Sequence, residues 1–295
     1  MPVPLVENAP AKVNLTLRVL RRRDDGYHEI ESLVTFADFG DRLSLSRGGE
    51  LKLQVRGPSA AAAGGEGADN LVLKAARALA ARCPGIVLGA FRLDKRLPVA
   101  AGLGGGSADA GAALRLIAQA NGLPRDDPQL YAAARATGAD VPVCLDPRSR
   151  VMRGIGDLLS APLSLPPLPA VLVNPGVALA TKAVFAGWRP AATQVVALEP
   201  AAVAKLTSRD QLLQYLATQS NDLEEPAIAI KPVIADVLTG LRGLPGCQLA
   251  RMSGSGATCV GLFPSTTAAR AAGKVLRDKY QRWWVKAGVL GGDRT

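Results

Sequence analysis

The sequence predicts an α+β protein of two domains. Three observations lead there: a cleanly alternating strand near the start, a glycine-rich loop that runs from a strand into an alanine-rich helix, and a cluster of prolines past the middle. With 295 residues, 48% hydrophobic and 20% charged, the chain is long enough to bury two cores.

In residues 11–20, Val13, Leu15, Leu17 and Val19 fall on one face and Lys12, Asn14, Thr16 and Arg18 on the other, the period of a half-buried strand. Asp24, Asp25 and Gly26 form a turn, so Tyr27 and His28 open the returning arm of a hairpin. Leu43, Leu45, Leu51, Leu53 and Val55 mark further strands, and residues 58–67 form an Ala/Gly loop. Asp69 is placed to cap a helix over 70–82. A strand over 86–96 leads through the glycine loop into a helix over 107–121. A shorter helix over 128–137 ends at Gly138, residues 139–142 form a turn, and 151–159 read as a closing strand.

Pro162, Pro166, Pro167 and Pro169 stiffen the chain and divide it into residues 1–162 and 163–295. Beyond them the pattern gives a strand over 170–174, helices near Lys182 and over 203–217 and 227–239, and a strand pair across 247–263. A helix over 266–279 and a strand over 283–287 complete a split β-α-β, ferredoxin-like layer.

The net charge of +10 suits an anionic ligand such as ATP or a nucleic-acid surface. Arg18, Arg21, Arg22 and Arg23 form the one dense basic run, and no aromatics interleave with it, so no nucleic-acid partner is expected. Cys83, Cys144, Cys247 and Cys259 are spaced too widely for metal or redox pairs, and the single histidine argues against zinc. Residues 1–10 lack a signal pattern and no apolar run reaches membrane-spanning length, so a cytoplasmic protein with reduced thiols and no membrane partner is expected.

Residues 98–109 read P-V-A-A-G-L-G-G-G-S-A-D. Gly102, Gly104, Gly105 and Gly106 let backbone approach an anion, and the first amides of the following helix lack internal partners, which makes a cradle for a triphosphate. The run is neither G-x-x-x-x-G-K-[ST] nor G-x-G-x-x-G, since Ser107 breaks the latter. Taken alone it also suits a flexible connector or a tight helix-packing turn.

Four segments, A-P-A-K-V-N-L-T-L at 9–17, P-V-A-A-G-L-G-G-G-S-A-D-A at 98–110, G-A-D-V-P at 138–142 and M-S-G-S-G-A-T at 252–258, resemble the GHMP kinase superfamily over nearly the whole chain. G-Y-H-E-I at 26–30 narrows the resemblance to the branch whose acceptor is a cytidine diphosphate-linked methylerythritol. The resemblance implies an N-terminal ATP-binding and catalytic domain, of the kind found in a small-subunit ribosomal protein, followed by a ferredoxin-like domain. It also implies ATP-dependent phosphorylation of the acceptor's 2-hydroxyl in non-mevalonate isoprenoid synthesis. A kinase for a mevalonate derivative, homoserine or a sugar is the alternative within the superfamily.

By the same resemblance, Lys12 and Asp140 meet at the acceptor hydroxyl, with Asp140 as general base and Lys12 lowering the hydroxyl's pKa and offsetting γ-phosphate charge. Asn14 and Thr181 bind substrate, Tyr27 and His28 hold the cytosine, and Phe185 forms a second aromatic wall. Asn70 and Lys95 lie on the nucleoside side of ATP, while Pro98, Gly102, Leu103, Gly104, Gly105, Gly106, Ser107 and Asp109 line its phosphates. Mg²⁺ accompanies ATP, held by phosphate oxygens and water with Ser107 or Asp109 in reach, and no protein metal site is expected because no acidic pair has metal-ligand spacing. Ala100, Ala101 and Ala108 depart from the family's usual glycine and second serine. The partner expected is the small-molecule substrate, with the protein a monomer or weak homodimer.

Overall fold

The computed structural model describes residues 3–63, 67, 69–190 and 198–292, so residues 64–66 of the Ala/Gly loop and the first two residues lie outside it. From the N-terminus run β1 (Leu5–Asn14), β2 (Arg18–Arg22) and the long β3 (His28–Arg56). Next come α1 (Leu71–Ala80), β4 (Gly89–Asp94), α2 (Gly105–Asn121), α3 (Pro128–Thr137) and α4 (Val141–Leu145). They are followed by β5 (Arg150–Gly154), β6 (Leu158–Leu159), β7 (Leu168–Asn174), α5 (Thr181–Gly187) and α6 (Pro200–Val203). The chain ends with α7 (Arg209–Ala217), α8 (Glu224–Ile230), α9 (Val233–Arg242), β8 (Leu249–Met252), β9 (Cys259–Leu262), α10 (Thr266–Lys279) and β10 (Trp284–Leu290).

The chain divides into two compact units, one of Met1–Lys12, Phe39–Val99 and Gly104–Pro147, the other of Val13–Asp38, Ala100–Leu103 and Arg148–Thr295. In the first, β4 pairs with two stretches of β3, and from Lys52 opposite Ala90 to Arg56 opposite Asp94 the strands run parallel. Helix α2 packs against α1 and α4, and α1 against α3. Ala108 through Ala118 are buried without a break, which small side chains permit. At Gly111 a Cβ would stand 2.5 Å from the Cys144 carbonyl oxygen, so α4 approaches α2 there.

Three expectations in this unit are corrected. Helix α2 begins at Gly105, two residues early, because Gly104 caps it with φ +59°. Helix α1 is capped by Asn70, whose side chain accepts from the Val72 amide at 3.0 Å, whereas Asp69 pairs with Lys74. Residues 139–142 are more than a turn: Pro142 sits in the first turn of α4, where its missing N–H is harmless, and Asp140 is the N-cap.

In the second unit β2 returns against β3 with Arg22 opposite His28, as the hairpin reading requires. Strand β3 also pairs with β5, from Ile30 opposite Gly154 to Val34 opposite Arg150. The strand expected over 151–159 is instead a small hairpin of β5 and β6. The strand expected over 11–20 is interrupted between β1 and β2, and its polar face is buried: Thr16 Oγ1 accepts the Leu33 amide at 2.9 Å and Asn14 donates to Ser32. Hydroxyl and amide partners replace the solvent that alternation had implied.

Strands β7, β8, β9 and β10 form the ferredoxin-like layer in spatial order β10-β7-β9-β8, every neighbour antiparallel. Helix α10 covers β10 and β7 while α9 covers β8 and β9, burying Val171, Val173, Val237, Leu241 and Leu276 in one core. The two long helices expected here are each broken. Ser208 starts α7 afresh with a capping box, and Pro232 separates α8 from α9. No helix among the described residues is long and apolar enough to cross a membrane, and all four cysteines are unpaired.

Close packing around α2 makes its alanines intolerant of growth. Ala113→Leu, at a fully buried site, is expected to lower stability by about 1–3 kcal/mol, read as a lower urea midpoint against wild type.

Candidate active site

In the first unit, Lys12 projects from β1 and its ammonium lies 2.9 Å from Asp140 Oδ2. The lysine is buried, while the Asp140 side chain keeps 35% of its surface exposed, so the pair has one open side. Although Asp140 occupies the N-cap of α4, its carboxylate makes no capping bond and is free to meet the lysine. Gly104 stands over this pair: a Cβ there would lie 3.1 Å from Lys12 Cε. Its left-handed backbone turns the chain into α2, whose first amides receive no side-chain cap and point outward at the positive end of the helix.

Beneath the same helix start, Lys95 Nζ lies 2.6 Å from Asp41 Oδ2 and 2.5 Å from Asp109 Oδ2, all three side chains buried. Burial alone lowers the Lys95 pKa, but the two carboxylates, Asp109 first, outweigh it and raise it. Burial pushes Asp109 up to about 7, opposed by Lys95 and helped by repulsion from Asp41. Asp41 Oδ1 accepts the amides of Arg96 and Leu97 at 2.6 and 2.8 Å, which fixes the backbone just ahead of the glycine loop. The Lys95 and Asp109 side chains are thus committed to each other and to Asp41. Asn70 lies at the head of α1, and its neighbour Leu71 stands 3.3 Å from where a Cβ on Gly106 would be, so α1 and α2 begin side by side. Cys144, buried in α4, is inert: burial and then the Asp140 carboxylate push its thiol up to about 12.

In the second unit, Gly102 has φ +74°, and a Cβ there would collide with the Ser253 carbonyl. Ser253 Oγ donates to Gly102 O at 2.9 Å and accepts the Asn14 amide at 3.0 Å. Asn221 donates to the carbonyls of Met252 and Gly254, both at 2.8 Å, so the loop at 253–256 is clamped on its other side. Asn14 Nδ2 donates to Ser32 at 2.7 Å, while its buried Oδ1 finds no donor among the described residues. Ala100, where the family loop often has glycine, keeps φ +51°.

The His28 ring lies 4.9 Å from that of Phe185 and meets Trp188 edge-on at 5.9 Å. Burial first and Arg22 second hold its pKa below the usual 6.5. Tyr27 is 60% exposed beside it in sequence, and Thr181 Oγ1 lies 2.9 Å from Ser255 Oγ. Ser107 is half-buried and Ala108 fully so; Pro98 borders the loop and Leu103 is in the core.

Sequence reasoning missed Asp41 and Trp188. Asp41 acts through backbone amides more than fifty positions away, and no local pattern signals that. Trp188 follows Phe185 by three positions, the spacing of one helix face, and was within reach of pattern reading.

An uncapped helix behind a glycine loop, a lysine–carboxylate pair under its first turn and a ferredoxin-like sheet in the same chain define a small-molecule phosphotransferase of the GHMP type. The family model for the GHMP kinases N terminal domain matches residues 70–146, and that for the GHMP kinases C terminal region matches residues 200–282. The 4-diphosphocytidyl-2-C-methyl-D-erythritol kinase of Methylobacterium radiotolerans is 56% identical over 283 residues, covering 95% of this chain and 97% of that protein. The enzyme of the same name from Bradyrhizobium diazoefficiens is 54% identical, covering 98% and 99%. A crystal structure of 4-(cytidine 5'-diphospho)-2C-methyl-D-erythritol kinase superposes with a TM-score of 0.75 at 35% identity, covering 98% of this chain and 100% of that one. Homoserine kinase from Cytophaga hutchinsonii shares the fold, with a TM-score of 0.70 at 21% identity over 99% and 96% of the chains. The chain belongs to the GHMP kinases and, within them, to the 4-diphosphocytidyl-2-C-methyl-D-erythritol kinase family.

Removing Asp41 from the Lys95 cluster leaves two amides unpaired and the buried lysine with Asp109 as its one carboxylate partner among the described residues. Asp41→Ala is expected to lower stability by about 3–5 kcal/mol, read from urea unfolding, and Asp41→Asn, which keeps an acceptor for the amides, is expected to lose less.

Proposed function

We propose that the protein transfers the γ-phosphoryl group of ATP to the 2-hydroxyl of 4-diphosphocytidyl-2-C-methyl-D-erythritol, giving the 2-phosphate and ADP for isoprenoid precursor synthesis. One observation carries the assignment of chemistry to residues: the Lys12–Asp140 pair, 2.9 Å apart, lies under the glycine that opens α2. Phosphoryl transfer asks the protein chiefly for positioning and for charge stabilisation. The outward amides of Gly105, Gly106 and Ser107 supply donors to phosphate oxygens, and the Ser107 hydroxyl adds another.

The acceptor hydroxyl sits against the open side of Asp140. As its oxygen bonds to the γ-phosphorus, the proton passes to the Asp140 carboxylate and the bond to the bridging oxygen of ADP breaks. Lys12 stabilises the developing alkoxide and the charge on the transferred group. Among the described residues no group of three or more acidic, histidine or cysteine side chains is arranged to hold a metal. Asp109 is committed to Lys95, so the residues present do not form a metal cage, and Mg²⁺ enters as the counterion of the triphosphate.

His28, Phe185 and Trp188 offer ring surface for a cytosine, and a neutral His28 presents one donor and one acceptor to its edge. Asn14 Oδ1, a buried acceptor without a donor among the described residues, suits a substrate hydroxyl.

Asp140→Asn is expected to fold and to bind ATP with unchanged Kd while kcat falls about 10²–10⁴-fold. Single-turnover ADP release with ATP titration measures both, and full turnover by the variant would remove the base from the scheme. For recognition, His28→Ala is expected to reduce kcat/KM for the cytidylylated acceptor about ten- to a hundredfold, as loss of a buried hydrogen bond does, with ATP binding unaffected. Because burial and then Arg22 lower the His28 pKa from 6.5, the ring is mostly neutral at neutral pH and gains its proton as pH falls into the acid range. The acceptor KM should therefore be flat above neutral pH and rise as the solution is acidified. In the His28→Ala profile that rise should be absent.

A further inference from the structure

We infer that Arg115 is a positioning residue that sets the approach of Lys12 to Asp140, an inference that rests on reading that pair as the reacting groups. Arg115 lies in the middle of α2 and is buried. Its guanidinium makes four bonds to backbone or carboxylate, divided between two elements. Nη1 donates to the carbonyls of Cys144 at 2.8 Å and Leu145 at 3.3 Å, the last residues of α4. Nη2 donates to the Asn8 carbonyl at 2.7 Å, and Nε to Glu7 Oε2 at 3.1 Å, both on β1. Strand β1 carries Lys12 and helix α4 is headed by Asp140, so a single planar cation spans the two elements that bear the pair.

A helix of five residues is marginal in isolation and has little of its own to hold its end in place. Here α2 supplies that hold twice on one face. Gly111 admits the α4 backbone to contact, and one turn later Arg115 satisfies its terminal carbonyls. The fork geometry of guanidinium matters, because one ammonium cannot reach β1 and α4 together. All four of these bonds go to β1 and α4, so Arg115 acts through the pair and not on substrate.

Arg115→Met, Arg115→Lys, Glu7→Gln and Asp140→Asn are compared by steady-state kinetics, with circular dichroism to establish folding. In Arg115→Met, kcat is expected to fall about 10–100-fold, the effect of misplacing a reacting group by about 1 Å, while the ATP KM stays within about twofold of wild type. Guanidinium added at millimolar concentration is expected to restore part of kcat to Arg115→Met and none to Asp140→Asn. Arg115→Lys should remain impaired, and Glu7→Gln should keep its kcat because the three carbonyl bonds persist. If Arg115→Met fails to fold, Arg115→Lys carries the same kcat-against-KM comparison. Wild-type kcat in a folded Arg115 variant, or a loss in kcat matched by an equal rise in ATP KM without guanidinium rescue, overturns the positioning role. Full turnover by Asp140→Asn instead overturns the reading of the pair, whatever Arg115 does.

Discussion

An ammonium ion held between two buried carboxylates ties the first turns of α2 to the strands beneath them. Lys95 directly follows β4, Asp41 belongs to β3 and Asp109 to the first turns of α2, so one cluster ties three elements together. Three charges out of water are expensive, and the cluster stands because the lysine bridges both carboxylates and Asp41 takes two amides as well. Asp109 is the weak member, with Oδ1 buried and without a donor among the described residues and its carboxyl pushed up to about 7 by burial. An apolar cluster of the same volume would fill the space. It would leave the Arg96 and Leu97 amides unpaired, and those amides are what orient the chain as it enters the glycine loop.

Given that frame, the loop glycines serve the protein's own packing as much as any ligand. Gly102 brings backbone against Ser253, and Gly104 lets α2 start directly above the stem of Lys12. A side chain at either would push on backbone or on the lysine before it met a phosphate. A serine in place of the buried Ala108 would turn its hydroxyl into the core, which leaves Ser107 as the half-exposed hydroxyl of the helix start.

Legibility in the sequence followed the range of the interactions. Helices α3 and α10 have the expected limits because their ends are set locally, by Asp127 and Gly138 for one and by the Ser265 cap for the other. The ferredoxin-like succession of strands and helices was equally readable along the chain. Long-range partners were not. The polar face of the first strand looked solvated because its partners, Asp140, Ser32 and the Leu33 amide, are supplied from elsewhere in the chain. Periodicity carried 203–217 and 227–239 as single helices across breaks that Ser208 and Pro232 impose. Lys12 and Asp140 stood out only through their motifs, for a lysine on a strand and an aspartate before a proline have ordinary structural uses.

The same pairing logic bears on the net charge of +10, which at first suggested that cations gather around an anionic ligand. The buried cations of the first unit are spoken for: Lys12 by Asp140, Lys95 by Asp41 and Asp109, Arg115 by Glu7 and three carbonyls. In the proposed mechanism, attraction for phosphate at the helix start therefore comes mainly from oriented amides, whose partial charges are fixed by the fold and need no counterion to be displaced when the ligand arrives. This differs in kind from a P-loop, where a lysine reaches the phosphates as a point charge. On that proposal Lys12 is free for the opposite task, staying close to the carboxylate that would receive the proton. Its charge would then be felt at the acceptor oxygen as that oxygen becomes anionic, a place where added positive charge favours the transition state over the bound substrates.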